Sequence, residues 1–109
     1  MKTDAKILEE LYEVIASRKG GDPEKSYTAK LFAKGRGKIA QKLGEEAVEA
    51  IIAALSQTPD ELAGESADMF YHLLVLWAEC GVRPEDVWEK LAQRMGTSGV
   101  DEKKNRKPA

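Results

Sequence analysis

The chain has 109 residues, 42% of them hydrophobic, and a net charge of −2 at pH 7. This length predicts one globular domain, and the near-neutral balance excludes the broad positive field that binds nucleic acids or membrane surfaces. Cys80 is the single cysteine, which excludes an intramolecular disulfide framework. Since the chain also has no apolar signal core or membrane-spanning run, we expect a cytoplasmic protein with no nucleic-acid or membrane partner.

The first part of the chain predicts two helices separated by a loop. Apolar residues recur at helical spacing over residues 3–18, and the glycine- and proline-containing segment 19–23 then breaks the pattern. A short helix over residues 26–34 begins near Ser26, and the Gly-Arg-Gly segment 35–37 interrupts it.

The second part predicts three further helices. The first covers residues 39–55, and Thr58 is then a suitable cap for a helix over 59–80 that Gly81 ends. A last helix begins around residues 83–86. We therefore predict an all-α domain, a four- to five-helix bundle, over residues 1–95, followed by a polar tail over 96–109 that lacks apolar periodicity.

Both long central helices carry one charged stripe on an otherwise mostly apolar surface. At about 100° per residue, each stripe occupies a sector of roughly 100° or less. The stripe of the helix over 38–55 consists of Lys38, Lys42, Glu45, Glu46 and Glu49. The stripe of the helix over 59–80 consists of Glu61, Glu65, Asp68, His72 and Glu79. We expect both helices to be largely buried, because their apolar faces are unusually wide.

The spacing of the acids favours a metal site. Glu46 and Glu49 are three residues apart, as are Glu65 and Asp68, so each pair points the same way from adjacent helical turns. An antiparallel pairing of the two helices would let the four carboxylates converge. Carboxylates on buried helices repel one another unless a cation neutralises them, and Mg²⁺ is the hard cation that prefers such oxygens.

Other interpretations of the same residues stay open. The acids could form a solvent-facing stripe with internal ion pairs, such as Lys42 with Glu46. Lys38 and Lys42 could hold substrate phosphates or only balance the acids. His72 could donate a hydrogen bond to Asp68 or to a substrate, or be a plain buried histidine.

The acidic motif resembles that of a known superfamily. Glu45-Glu46-Ala47-Val48-Glu49, followed after fifteen residues by Glu65-Ser66-Ala67-Asp68, is similar to the motif of the all-α nucleotide pyrophosphohydrolases of the MazG-like type. The flanking segments narrow the resemblance to the phosphoribosyl-ATP pyrophosphohydrolase family of histidine biosynthesis. Those segments are 26–31, 38–49, 68–76 and the start of the tail, 96–103.

This resemblance implies an activity and a set of site residues. The activity is hydrolysis of phosphoribosyl-ATP to phosphoribosyl-AMP and pyrophosphate, the second step of histidine biosynthesis. The resemblance implies Mg²⁺ binding by Glu46, Glu49, Glu65 and Asp68. It also implies catalytic roles for Glu45, Glu46 and Glu49, with Glu45 as a water-mediated ligand or as the base that activates water. The residues expected to bind substrate are Ser26, Tyr27, Lys38, Lys42 and His72.

The sequence is also compatible with two other functions, and it predicts a homodimer. The motif also fits a house-cleaning enzyme that hydrolyses dUTP or a noncanonical nucleoside triphosphate, and a non-enzymatic helical assembly module would use the acids as salt-bridged structure. A chain this short cannot cover two mostly apolar helices on all sides, so we expect a homodimer, as the resemblance also implies. We place the helix over 59–80 at its interface, with Phe70, Leu74 and Trp77 as contacts.

Overall fold

A computed structural model of the chain describes residues 3–96, which form five α-helices. They are α1 (Lys6–Ser17), α2 (Tyr27–Lys34), α3 (Arg36–Ser56), α4 (Pro59–Cys80) and α5 (Pro84–Met95). All regular secondary structure within 3–96 is helical, which confirms the predicted all-α class. The predicted polar tail lies, except for Gly96, outside the described residues. None of the described helices combines the length and the apolar character needed to cross a membrane.

The helix that carries the second acidic pair begins and ends where its sequence signals predict. The Thr58 hydroxyl accepts a hydrogen bond from the Glu61 amide at 3.2 Å, and the Glu61 carboxylate accepts one from the Thr58 amide at 3.4 Å. This capping box satisfies two amides that the first turn of α4 leaves free, and Pro59 needs no partner there. Gly81 ends α4 with φ 76°, a left-handed conformation that favours glycine.

A single glycine joins α2 to α3. Gly35 has φ 93° and ψ 170°, a backbone conformation open almost only to glycine. At the other end of α2, the Ser26 hydroxyl accepts a hydrogen bond from the Ala29 amide at 3.1 Å and caps the helix. The direction of α2 relative to α3 is therefore set by one residue.

The two long helices α3 and α4 form the centre of the molecule. They are joined by only two residues and make the most extensive contact between any pair of described helices, so they run antiparallel. Small Ala50 and Ala53 are buried on α3, which lets the backbones approach closely. The helices α1 and α2 pack against this hairpin and complete the core. The core residues are Ile15, Leu31, Phe32, Ile39, Leu74 and Val75.

Two expectations about burial were wrong. We predicted that the α3 helix would be largely buried, but four of its apolar residues are about half exposed or more within the single chain. These residues, which we call the α3 apolar stripe, are Val48, Ile51, Ile52 and Leu55. Leu74 was predicted to contact a second chain, yet its side chain is fully buried in this chain's own core. Leu74 packs in the core with residues of α1, α2 and α3. Phe70, another predicted contact on α4, is 43% exposed, so uncovered apolar surface lies on α4 as well as on α3.

Candidate metal and active site

Three acids from the two central helices meet at one point. Glu46 and Glu49 lie on adjacent turns of α3, and Glu65 lies on α4. Each offers a carboxylate oxygen, and these oxygens all lie within 4.8 Å of one another. The antiparallel packing of α3 on α4 therefore brings together three of the four acids expected to bind a metal.

The inward-facing oxygens of this cluster have unmet hydrogen-bonding capacity. Within residues 3–96, the Oε2 atoms of Glu46 and Glu65 are buried and have no hydrogen-bond partner. Burial raises the pKa of both carboxyl groups, and the nearby Glu49 carboxyl raises the pKa of both further. Buried acceptors without a donor are costly, so the cluster is suited to a cation.

Asp68 lies beside the cluster without belonging to its closest group. Its negative charge contributes to the raised pKa of both Glu46 and Glu65. Its backbone carbonyl accepts a hydrogen bond from Nδ1 of His72 at 2.9 Å. The Asp68 carboxylate is therefore near enough to act electrostatically on the cluster, and its role as a ligand stays a prediction.

Glu45 occupies a different position from its neighbour Glu46. Its carboxylate is half exposed and lies 3.8 Å from Nζ of Lys42, and it accepts a hydrogen bond from Nε2 of Gln41 at 3.2 Å. The ion pair of α3 thus joins Lys42 to Glu45, whereas the alternative considered from the sequence joined Lys42 to Glu46. Lys38, one turn earlier, has no ion-pair partner within the described part of the chain.

The residues at the start of α2 lie against α4. The Tyr27 hydroxyl is 3.3 Å from Nε2 of His72, and the two rings meet edge to face with centroids 6.3 Å apart. His72 is buried, with 7% of its surface exposed, whereas Tyr27 is 54% exposed. Of the residues expected to bind substrate, Ser26 thus caps α2, Tyr27 faces solvent and His72 lies behind Tyr27.

Three residues that contact these groups or their helices were not predicted from the sequence. Gln41, one turn earlier on α3, donates a hydrogen bond to the Glu45 carboxylate, and the four-residue spacing of this pair is visible in the sequence. The hydroxyl groups of Thr28 and Tyr71 form a hydrogen bond that links α2 to α4. No local signal predicts that link, because residues 28 and 71 come together only through the tertiary fold.

Comparison with known proteins identifies the family of this chain. A sequence model of the family described as phosphoribosyl-ATP pyrophosphohydrolase matches residues 4–95. Similar proteins named phosphoribosyl-ATP pyrophosphatase include that of Paramagnetospirillum magneticum, 74% identical over 97% of each chain. That of Rhodospirillum rubrum is 60% identical, and the match covers 93% of this chain and 86% of the relative. That of Azospirillum brasilense is 58% identical, and the match covers 97% of this chain and 96% of the relative. The match confirms the resemblance seen in the acidic motif, and the chain belongs to the phosphoribosyl-ATP pyrophosphohydrolase family.

Proposed function

We propose that this chain hydrolyses phosphoribosyl-ATP to phosphoribosyl-AMP and pyrophosphate, the second step of histidine biosynthesis, with Mg²⁺ as its cofactor. The observation that carries the proposal is the meeting of Glu46, Glu49 and Glu65 in a member of this family. Relatives that share up to 74% of their residues with this chain bear the name of that activity.

The chemistry of the acidic cluster fits Mg²⁺. All the grouped donors are carboxylate oxygens, which suit a hard cation, whereas zinc favours nitrogen and sulfur ligands. The buried Oε2 atoms of Glu46 and Glu65 accept no hydrogen bond from any of residues 3–96, so a bound cation would supply the missing interaction. We assign Glu46, Glu49, Glu65 and Asp68 as the residues that hold the ion.

We assign a separate role in hydrolysis to each group of side chains around the cluster. Mg²⁺ bound by the acids would neutralise phosphate charge and lower the pKa of a bound water. Glu45 stands outside the grouped acids with an exposed carboxylate, so it is the residue that we assign to accept the proton of the attacking water. Lys38 and Lys42 would bind the leaving pyrophosphate, and Lys38 has no ion pair within the described residues to compete for its charge.

A substrate profile tests the activity. Pyrophosphate release is measured with phosphoribosyl-ATP, dUTP and the common nucleoside triphosphates under the same conditions. We expect phosphoribosyl-ATP to be preferred by kcat/KM, and a preference for dUTP or another triphosphate would contradict the proposal. Calorimetric titration with Mg²⁺ separates an enzyme from an assembly module, because salt-bridged structural acids would bind no stoichiometric Mg²⁺.

The α3 apolar stripe supports a homodimer. Its four residues follow the spacing of a single helical face, and Leu55 is 82% exposed. A continuous apolar face of this kind is seldom left in water, and a second copy of the chain would cover it. At about 100° per residue, Val48 and Ile52 point within roughly 60° of Glu45, so the partner would lie beside the active site. The cytoplasmic location and the absence of nucleic-acid and membrane partners stay predictions.

A further inference from the structure

We propose that His72 is a positioning residue that holds the Tyr27 hydroxyl, and that Tyr27 accepts a hydrogen bond from the nucleoside part of the substrate. The inference rests on the proposed function, since it names the part of phosphoribosyl-ATP that this side chain contacts. It assigns His72 a role through Tyr27, in place of the direct substrate contact expected from the sequence.

The hydrogen bonds of His72 fix the position of its proton. Nδ1 lies 2.9 Å from the backbone carbonyl oxygen of Asp68, and a carbonyl oxygen can only accept. Nδ1 therefore carries a proton, and in this tautomer Nε2 is the acceptor. The Tyr27 hydroxyl at 3.3 Å is the donor to that nitrogen. With 7% of its surface exposed, His72 has little area left for a substrate.

This arrangement determines what the Tyr27 hydroxyl can recognise. Its only proton is directed at His72, so its oxygen can accept from a ligand but cannot donate to one. Phosphate oxygens are acceptors and do not match such a group. Ribose hydroxyls and the nitrogen-bound hydrogens of a base are donors and do match it. Because Tyr27 is 54% exposed, a ligand can reach this oxygen and the ring.

Tyr27 and His72 lie beside the acidic cluster, so a nucleoside bound to Tyr27 would be close to the proposed metal site. His72 lies one turn after Asp68 on α4, the helix that also supplies Glu65 to the cluster, and its Nδ1 atom donates to the Asp68 carbonyl oxygen. A separate hydrogen bond between Thr28 and Tyr71 holds the start of α2 against α4. The Tyr71 ring also stacks near Tyr27, with centroids 6.4 Å apart and an angle of 30° between the planes. Tyr27 is therefore held from two sides at the edge of the site.

The first experiment removes the Tyr27 oxygen alone. Tyr27→Phe should raise KM for phosphoribosyl-ATP about tenfold, the scale of one hydrogen bond, with kcat changed by less than about threefold. The inhibition constant of phosphoribosyl-AMP should rise in parallel, while that of inorganic pyrophosphate stays unchanged. Tyr12→Phe is the matched control, because it removes the same atom from a tyrosine whose hydroxyl donates to the Val82 carbonyl oxygen and takes no part in the proposed site. Its KM should stay close to that of the parent.

Two substitutions of His72 separate positioning from structure. The side-chain amide nitrogen of Asn lies near the position of Nδ1. His72→Asn can therefore keep the hydrogen bond to the Asp68 carbonyl oxygen while removing the acceptor for the Tyr27 hydroxyl. The longer side chain of Gln reaches the position of Nε2, so His72→Gln can keep the acceptor for Tyr27. We expect His72→Gln to retain KM within about threefold and His72→Asn to match Tyr27→Phe. The double variant Tyr27→Phe/His72→Asn should be no worse than either single change.

The outcomes distinguish this inference from the proposed function. A parent protein that releases no pyrophosphate from phosphoribosyl-ATP would overturn both. If the parent is active, equal KM values in the two His72 variants would overturn the positioning role alone. A KM for Tyr27→Phe within twofold of the parent would do the same. A larger effect on pyrophosphate than on phosphoribosyl-AMP would overturn the assignment to the nucleoside.

Discussion

At the scale of single residues, Glu49 is the centre of the acidic cluster. Burial raises the pKa of Glu46 on α3 and of Glu65 across the helix interface on α4, and the neighbouring Glu49 carboxyl raises both further. Glu49 is thus the acid that connects the two helices. Repulsion from its charge would destabilise the cluster without a cation, and under the proposed function its carboxylate would be a ligand to the bound ion.

A neutral amide at this position should therefore separate activity from stability. Glu49→Gln should lower turnover by at least about a hundredfold, a scale typical of losing an electrostatic catalytic group. Thermal unfolding in the presence of EDTA should occur at the same temperature as in the parent or higher, because the substitution removes acid–acid repulsion. Glu10→Gln, at an exposed position on α1, is the control and should leave both quantities unchanged. Full activity of Glu49→Gln with ordinary Mg²⁺ dependence would contradict the assignment.

The raised pKa values of Glu46 and Glu65 predict how stability depends on pH without metal. The native state holds these protons more tightly than the unfolded chain, whose carboxyl groups titrate near the ordinary value of 4.5. Their contribution to stability is therefore fully present below that pH and is lost as the pH rises through the raised native pKa.

Urea unfolding of the parent and Glu46→Gln, both in EDTA, measures this effect. The free energy of unfolding of the variant relative to the parent should increase as the pH rises from 4.5 toward neutrality. Added Mg²⁺ should then stabilise the parent more than the variant, since the variant lacks a ligand. A difference that does not vary with pH would show that the Glu46 carboxyl is not perturbed.

At the scale of the helices, the sequence signals located most boundaries within one residue. However, α1 begins at Lys6 instead of residue 3, and α3 begins at Arg36, inside the segment 35–37 that was expected to interrupt the helices. Capping and glycine signals located α4 within one residue, because such signals act through neighbouring backbone groups. The pairing of Lys42 with Glu45 and the separation of Glu45 from Glu46 were not predictable, since side-chain rotamers decide them. The link between Thr28 and Tyr71 was missed for another reason, namely that two distant parts of the chain supply it.

The joint between α2 and α3 gives a prediction at this scale. Gly35→Ala should lower the free energy of unfolding by about 1–3 kcal/mol, because alanine is strained at its backbone angles. A β-carbon there would meet no described atom within 4 Å, so the cost lies in the backbone. Gly64→Ala, inside α4, also meets no described atom and should raise stability by about 0.5–1 kcal/mol. Chemical denaturation measures both, and effects of the same sign would contradict the explanation.

At the scale of the whole molecule, sequence periodicity indicated an excess of apolar surface but not its location. Both central helices are apolar around most of their circumference, and the packing of the neighbouring helices decides which face is covered. That packing buries Leu74 and leaves the α3 apolar stripe exposed. A helical pattern alone cannot specify this choice, because it shows the faces of a helix without showing its neighbours.

The stripe gives the prediction for the assembly. Light scattering after size exclusion should give about twice the 12.0 kDa chain mass for the parent. Ile52→Glu should shift the protein toward the monomer, because a charge in an apolar interface is costly. Leu91→Glu on α5 is the matched control, since Leu91 is 50% exposed and Ile52 is 48% exposed. A parent that elutes as an active monomer, or a Leu91 variant that dissociates equally, would contradict an interface on α3.

The acidic cluster also has a consequence for how the chain folds. All four acids lie between residues 46 and 68, within one helical hairpin whose turn is two residues long. Contacts so local in the sequence can form early, before α1, α2 and α5 dock, because little loop entropy opposes them. Formation of the α3–α4 hairpin also brings the acids together, so electrostatic repulsion between their carboxylates opposes this early contact. A divalent cation would relieve that repulsion during folding, so the proposed cofactor would also act as a folding ligand.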